Sequence, residues 1–421
     1  MQITTDTNEY VRSIQQALQL LTAATEQCQL TYIGSTSDNV HSLGTREASR
    51  RALVLEAYRF VQTAQGPIDA AATCYEQTAH LATIRALLEM GVFEELPNDG
   101  TPRSADDLAA RLGVDQSLLT RLLRHASLYG PLERTGEDAY RHTPFSLVYL
   151  RPEIRGMFRF AMNEHMPAHL KLHEFLTLNS WKTPDSTSNN PYTHAHQTNG
   201  KTMFANISTK PDRLKAFNDG MTVQAMTAIW MIDLFPFHKT FSASDPRPTT
   251  VLAVDIGGGR GRAIARIRDL SGDVRGRFIL QDQAHVIAGL ERGIPSTSYL
   301  YGIETVAHDF FTEQPVRGAL VYLIRRCLHN WPEDSVLQIL KHTAAAMEPG
   351  HSRLLIEEII VPVRDSGIEE GWMDLIMMSL GAKQRTLEEW RAVLTKSGLA
   401  LTNVYQVEGY CHGLIEARVV S

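Results

Sequence analysis

Cysteine is scarce in this sequence. Cys28, Cys74, Cys327 and Cys411 are the only four in 421 residues, and no two form a Cys-x-x-Cys pair. Thiols scattered in this way exclude a disulfide framework and a cysteine zinc site, and they suit a reducing compartment. Long apolar runs are missing too: the apolar stretches are short and broken by charges, so no membrane-spanning helix is expected. Met1 to Thr7 lack the charged and apolar regions of a signal peptide, which makes the cytoplasm the expected location. Positive charge is not in excess. The formal net charge of −6 argues against a nucleic-acid partner, which would normally meet a basic surface.

What is present is enough apolar material, 43% of residues, for real cores. The length predicts more than one domain. Four segments are distinguished: 1–70, 71–150, 151–245 and 246–421. The first has helical periodicity over residues 8–30 and 45–65, carried by Leu18, Leu20 and Leu21 and then by Leu53, Leu55, Tyr58 and Val61. A Ser/Thr/Asn-rich loop is expected between them, from Gly34 to Gly44. Such helices bury their apolar faces either on the same chain or on a second subunit, and the pattern leaves both open.

The second segment reads as a winged helix. A helix over Ala79–Met90 ends at Gly91. Another follows Ser104, with Asp107 in the glutamate position of a capping box, and stops at Gly113. A third follows Asp115 and runs to Tyr129; then Leu132–Thr135 and Ala139–Thr143 flank Gly136-Glu137-Asp138 as a hairpin. The third helix offers only Arg121 and Arg124 to a phosphate backbone, among Leu118, Leu119, Leu122 and Leu123, too little for DNA. The third segment is mostly helical and rich in methionine and aromatics, mainly core with a few residues suited to an adaptable apolar pocket. Its stretch 180–197 reads as a polar loop, with His194 and His196 as exposed residues lacking a carboxylate partner, and no metal site is expected.

From Thr250 onward, strands and helices alternate. Strands are expected over Val251–Asp255, Arg277–Gln281, Ile303–Val306, Ala319–Leu323, Ser352–Glu357, Leu401–Glu408 and His412–Val420. Helices are expected over Arg262–Leu270, Val286–Arg292, Pro332–Met347 and Thr386–Ser397. This is the rhythm of an α/β, doubly wound, mostly parallel Rossmann-like sheet, closed by an antiparallel edge hairpin.

The stretch Val-Leu-Ala-Val-Asp-Ile-Gly-Gly-Gly-Arg-Gly-Arg, residues 251–262, is a buried strand running into a glycine turn. No Gly-Lys-Ser/Thr follows the glycines, which excludes a P-loop. Arg262 stands where a dinucleotide fingerprint begun at Gly257 needs Gly or Ala. What remains is Asp255-x-Gly257-x-Gly259-x-Gly261. Asp282 ends the next strand, where a carboxylate can hold ribose hydroxyls, and Asp309-Phe310 follows the third, a carboxylate and an aromatic suited to adenine. In this order they point to S-adenosylmethionine.

Over residues 70–421 the chain resembles the plant-type and fungal small-molecule O-methyltransferases, dimeric class I enzymes with a winged-helix dimerisation domain. Val254-Asp-Ile-Gly-Gly-Gly-Arg-Gly261, Gln281-Asp282, His308-Asp309-Phe310-Phe311, Leu323-Ile-Arg-Arg-Cys-Leu-His-Asn-Trp331, Ile356-Glu-Glu-Ile-Ile-Val-Pro362 and Gly381-Ala-Lys-Gln-Arg-Thr386 carry the likeness. It implies a homodimer acting in secondary metabolism on a hydroxyl of an apolar or aromatic molecule. His329 would be the catalytic base, oriented by Glu358 or its neighbour Glu357, with Arg325 in place of the family's cofactor-contacting lysine. Phe217, Met221, Trp372, Met373 and Met377 fall on the substrate wall, and Trp331 is a further substrate-binding candidate; Asp374, between two of them, either accepts a hydrogen bond or caps its helix. Two acids of the pattern are amides here: Asn330, and Gln384 beside the base. An amide stabilises an imidazolium less than a carboxylate does. A rival on the same fold is therefore kept, that of the fungal pericyclases, which bind S-adenosylmethionine without transferring its methyl. Arg325 or Arg326, His165 and Thr222 are its candidate groups.

Overall fold

The fold is taken from a computed structural model that describes residues 7–34, 39–291, 298–364 and 366–420. The chain forms two compact units. One holds Tyr58–Glu164 and Ile207–Gln224 with the chain up to Leu18; the other holds Gln19–Ala57, His165–Asn206 and the chain from Ala225.

Two long helices, Thr7–Gly34 and Val40–Met90, open the chain. The loop expected from Gly34 to Gly44 is thus shorter on its far side, since helix resumes at Val40; residues 35–38 lie outside the described residues. The second helix breaks at Gly66 (φ 73°, ψ 172°), ahead of Pro67, which has no N–H to continue the ladder.

The first unit contains the winged helix. Helices Ala105–Leu112 and Gln116–Leu128 start at Ser104 and Asp115, whose side chains accept the N–H groups of Asp107 (3.1 Å) and Leu118 (2.7 Å). The reciprocal half of the expected capping box is not made. The Asp107 carboxylate pairs instead with Arg103 at 3.0 Å and Arg111 at 3.1 Å. Strands β1 (Arg103–Ser104), β2 (Leu132–Thr135) and β3 (Ala139–His142) form a small sheet in the order β1-β3-β2. Leu119, Leu123 and Ala126, one face of the second helix at helical spacing, pack with Leu87, Phe93, Leu108 and Tyr140. Tyr75, Leu128 and Phe145 are 81%, 73% and 70% exposed on the same unit.

The second unit is the doubly wound sheet. Strands β4 (Val251–Ile256), β5 (Arg277–Asp282), β6 (Glu304–Ala307), β7 (Val321–Arg325) and β8 (Arg353–Val361) pair in parallel. A short β9 (Arg385–Thr386) pairs with β8, and β10 (Leu399–Gln406) and β11 (His412–Val419) add the antiparallel edge. The order is β10-β11-β8-β7-β4-β5-β6. Successive strand residues face opposite sides. Val254, Tyr322, Ile324, Leu354 and Ile356 thus build one core, and Ala253, Val321, Leu323 and Leu355 the other.

The fourth parallel strand begins two residues later than expected and runs to Arg325, so Arg325 is in the strand and not beyond it. Helix Ile368–Ser379 has no counterpart in the sequence reading, and Pro191–His196 is helical inside the stretch read as a loop. The helix expected over Val286–Arg292 is seen as Ala284–Glu291, and Arg292 lies outside the described residues. No helix among the described residues is long and apolar enough to cross a membrane.

Candidate active site

Parallel strands deliver their carboxyl ends to one edge of the sheet, where α/β proteins bind small ligands. At the end of β4 the chain turns through Gly257, Gly259 and Gly261, with φ of 68°, 58° and 74°, a region that L side chains rarely adopt. A Cβ on Gly257 would sit 3.5 Å from the Phe310 ring and from Cys327 Sγ, whereas one on Gly259 would meet nothing within 4 Å. Open space therefore lies over Gly259, with Phe310 close to the start of the turn. Asp282, at the end of β5, clamps the turn: Oδ2 accepts the Gly259 N–H at 2.8 Å and Oδ1 that of Gln283 at 2.7 Å. Asp309 is exposed, and its Oδ1 accepts the Phe311 N–H at 3.0 Å.

Asp255 is fully buried beneath the turn. Burial pushes its pKa up to about 7, against the pull of the Arg325 guanidinium and of the Ile264 backbone N–H.

His329 lies on a short turn, Leu328–Asn330, just past β7, and is 5% exposed. Its Nδ1 is 2.9 Å from Glu358 Oε2 and 3.0 Å from Gln384 Nε2. Glu358 Oε1 accepts the N–H groups of Cys327 (2.9 Å) and His329 (3.2 Å), so one buried carboxylate fixes the turn and sets its charge beside the ring. This decides between the two glutamates left open above: Glu358 faces His329, and Glu357, one residue earlier on β8, faces the other side of the sheet. Glu357 Oε2 is 2.5 Å from Arg325 Nε and Oε1 is 3.1 Å from His412 Nδ1. Full burial raises its pKa, but Arg325 and His412 outweigh that and hold it at about 2.

Arg325 has other business than the sequence reading gave it. Besides Glu357, it donates from Nη1 to Ala225 O at 3.0 Å and from Nη2 to Thr227 O, and its side chain is 8% exposed. Beyond Glu357 the network continues through His412 Nε2 to Glu369 at 3.1 Å, and Glu369 also pairs with Arg51. Glu369, Cys411 and His412 bring ligand-type atoms within 4.8 Å of one another. Arg51, which also lies 2.9 Å from Cys411 Sγ, already holds the place of a cation there. No sequence signal joins Arg51 to residues 369–412; only the fold does.

The other expected residues fall as follows. Asp374 accepts the Gln384 N–H at 2.8 Å, so the hydrogen bond expected of it goes to the residue beside the histidine. Met373 and Met377 are buried against Ile359, Ala382 and Cys411. Trp331 packs with Phe310 and Phe311, edge-on, and is stacked on Phe204 with centroids 5.8 Å apart. His165 is buried with Nδ1 3.3 Å from Ser379 Oγ; burial, then His169 and His196, pushes it down to about 3, so it is neutral. Phe217, Met221 and Thr222 lie on helix Pro211–Met226 in the first unit, where Phe217 meets Phe160 edge-on and the Thr222 hydroxyl returns to Asn218 O at 3.1 Å. His194 is half-buried and 3.5 Å from Glu174, so the expectation of an exposed residue without a carboxylate is corrected.

The family model of the O-methyltransferase domain matches residues 179–400, and that of the O-methyltransferase dimerisation domain matches residues 76–152. The chain belongs to the O-methyltransferase family. Among its relatives, the O-methyltransferase desB of Aspergillus desertorum is 68% identical over 415 residues, 98% of this chain and 99% of that one. The crystal structure of OxaC in complex with SAH and oxaline is 33% identical, with a TM-score of 0.85 over 98% of this chain and all of the other. A structure described as a pericyclic reaction enzyme is 25% identical, with a TM-score of 0.80 over 96% of this chain and 100% of that one. Membership makes the chain a methyltransferase-fold enzyme whose cofactor is S-adenosylmethionine. The residues present fit it: a glycine turn open at Gly259, a buried acid at Asp255 before it, and carboxylates at Asp282, which ends β5, and at Asp309, two residues past β6.

Proposed function

We propose that this O-methyltransferase methylates a hydroxyl of an aromatic or polyketide-type small molecule, with His329 as proton acceptor. Gly257, Gly259, Gly261, Asp282, Asp309 and Phe310 would hold the cofactor. Bound S-adenosylmethionine supplies an electrophilic methyl group. The observation that carries the reading is Glu358 Oε2 at 2.9 Å from His329 Nδ1. A carboxylate there keeps a proton on Nδ1 and leaves Nε2 as the base. A phenol with a pKa of about 10 is mostly protonated at neutral pH, so taking its proton speeds attack. Trp331, with Phe204 and Phe310 around it, offers an aromatic wall to the acceptor.

One contact favours a second reading. Gln384 Nε2 also meets Nδ1, at 3.0 Å. If the amide donates there, the ring proton sits on Nε2 and His329 becomes a hydrogen-bond donor to the substrate, as suits a pericyclase. Gln384 Oε1 is buried without a partner, so turning the amide over would return an acceptor to the ring. The experiment is incubation with candidate phenols and polyketide alcohols while following S-adenosylhomocysteine. Methylated product with stoichiometric S-adenosylhomocysteine supports the first reading; cyclised product without it selects the second. A methylation rate unchanged by His329→Ala removes His329 as base. We also propose a homodimer built on the winged-helix unit, supported by its exposed Tyr75, Leu128 and Phe145; a monomeric mass by light scattering would overturn it.

A further inference from the structure

The turn that carries His329 is held from both faces of β8. On one face Glu358 takes the N–H groups of Cys327 and His329. On the other, Glu357 Oε2 meets Arg325 Nε at 2.5 Å, at the entry to the turn, and the Glu357 main-chain carbonyl accepts the Arg326 N–H at 2.9 Å. Between these two holds, Arg326 has a φ of 49°. A residue with a Cβ keeps that left-handed value only where its surroundings impose it, and such backbone gathers at functional sites. Behind Glu357 the charges alternate in sign. His412, fully buried on β11, has Nδ1 3.1 Å from Glu357 and Nε2 3.1 Å from Glu369. A carboxylate at each nitrogen takes both ring N–H groups of an imidazolium. Burial works against that charge, but the two glutamates outweigh it and raise the pKa. Glu369 pairs in turn with Arg51, on the helix Val40–Met90. Arg51 is itself set by Glu47 Oε1 at 3.1 Å and by the Tyr410 ring, 4.5 Å from its guanidinium carbon. Arg51 and His412 lie outside both spans that the family models match, 76–152 and 179–400. Removing one member of a buried ionic chain leaves its neighbour uncompensated, so each charge keeps the next in place.

We infer that Glu357 and His412, secured by Glu369 and Arg51, are positioning residues for His329. They fix Arg325, and with it the entry to the turn, from the face that Glu358 does not reach. The inference rests on the reading of His329 as proton acceptor. These four residues act through the turn and not on the reacting atoms. With the network in place, Arg326 is kept in its left-handed conformation and the imidazole keeps one line of approach to the acceptor hydroxyl. Without it, Arg326 relaxes and the ring loses that line, which costs rate more than binding.

The test is amide hydrogen exchange of the full-length protein, read by mass spectrometry over residues 326–331, beside S-adenosylhomocysteine formation with a phenol that is methylated. Exchange over 326–331 should be roughly tenfold faster in His412→Gln and roughly threefold faster in Arg51→Met, with β4 unchanged. The value of kcat should fall by about the same factors, with KM for the cofactor within about twofold, and neither substitution should add to the loss in His329→Ala. Arg51→Lys should restore both readings. Unchanged exchange in the turn overturns the proposal, as does a rise shared with β4, which marks general loosening. So does a wild-type kcat in both variants while His329→Ala abolishes methylation. Should His329→Ala methylate normally, the reading of the base falls, and exchange alone decides whether the network holds the turn. Should His412→Gln fail to fold, Arg51→Met decides, since it leaves the inner four charges paired.

Discussion

Glu358→Gln separates charge from shape at the centre of the candidate site. The amide keeps the size of the side chain and one oxygen for the N–H groups of Cys327 and His329, now at 2.9 and 3.2 Å. What it removes is a negative charge whose Oε2 lies 2.9 Å from His329 Nδ1. Both residues are buried, with no solvent to screen the loss. Two estimates bracket the cost once the ring has taken a proton. The gap between a charge-assisted and a neutral hydrogen bond is about 1–2 kcal/mol. Opposite charges about 4 Å apart at an effective dielectric of about 20 attract by about 4 kcal/mol. At about 1.4 kcal/mol per decade, kcat for methyl transfer should fall by roughly 5-fold to 1,000-fold, with little change in cofactor affinity. The assay is initial-rate S-adenosylhomocysteine formation at saturating substrate for wild type, Glu358→Gln, His329→Ala and the double variant, with thermal melts of each. Because Glu358 is argued to act through His329, its substitution should change the His329→Ala rate by no more than about 0.5 kcal/mol, roughly twofold. A Glu358→Gln rate within twofold of wild type, or its full loss repeated in the His329→Ala background, would refute the reasoning.

Gln384→Glu places a second carboxylate at Nδ1 and should raise methyl transfer by a few-fold, about 1 kcal/mol; a slower enzyme with unchanged cofactor binding would count against a basic His329. Gly259→Arg should abolish S-adenosylmethionine binding by calorimetry while costing about 1–2 kcal/mol in stability, because the turn needs positive φ there and the side chain enters the open space over it; retained binding would move the cofactor away from the turn. Asp255 has a folded pKa of about 7 against an ordinary 3.8, so the folded state is favoured below pH 4 and that advantage is lost as pH rises through 7. Asp255→Asn should therefore gain up to a few kcal/mol of stability at pH 7.5 and almost none at pH 4, read by denaturant melts of the cofactor-free protein; equal gains at both would show the carboxylate is not strained. Asp374→Ala frees the Gln384 backbone N–H from its 2.8 Å acceptor and should lower kcat by about tenfold, at about 1–2 kcal/mol, leaving cofactor affinity in place; a change in affinity alone would put Asp374 elsewhere in the mechanism.

The cofactor turn was legible in the sequence because its signal is local. Four glycines after a buried strand and an acid at its end leave few backbone solutions, and the structure gives Gly257, Gly259 and Gly261 the φ values that such a turn demands. Helix ends with a cap and a glycine stop were legible for the same reason, as at Ser104 and Gly113. The pair Glu357-Glu358 was not, because both are fully buried and only the phase of β8 decides which one faces His329. The Arg51–Glu369–His412–Glu357–Arg325 network was out of reach, since its members are up to hundreds of positions apart and no periodicity links them. The partner of Asp374 was hidden for a related reason: it is a backbone N–H ten residues on, and a main-chain donor leaves no mark on composition.

Two adjacent acids on one strand also tie the chemistry of the site to the alignment of β8. Glu358 is opposite Gly413 on β11, and Glu357 is opposite Leu414 there and Arg325 on β7. A slip of one residue would turn Glu357 toward the histidine and Glu358 toward Arg325 and His412, and with them every apolar neighbour to the wrong layer. Each acid would then face the other's basic neighbour, so the penalty of the slip falls on the apolar residues turned to the wrong layer. One alternation along β8 thus serves both the chemistry of the site and the sorting of the two cores.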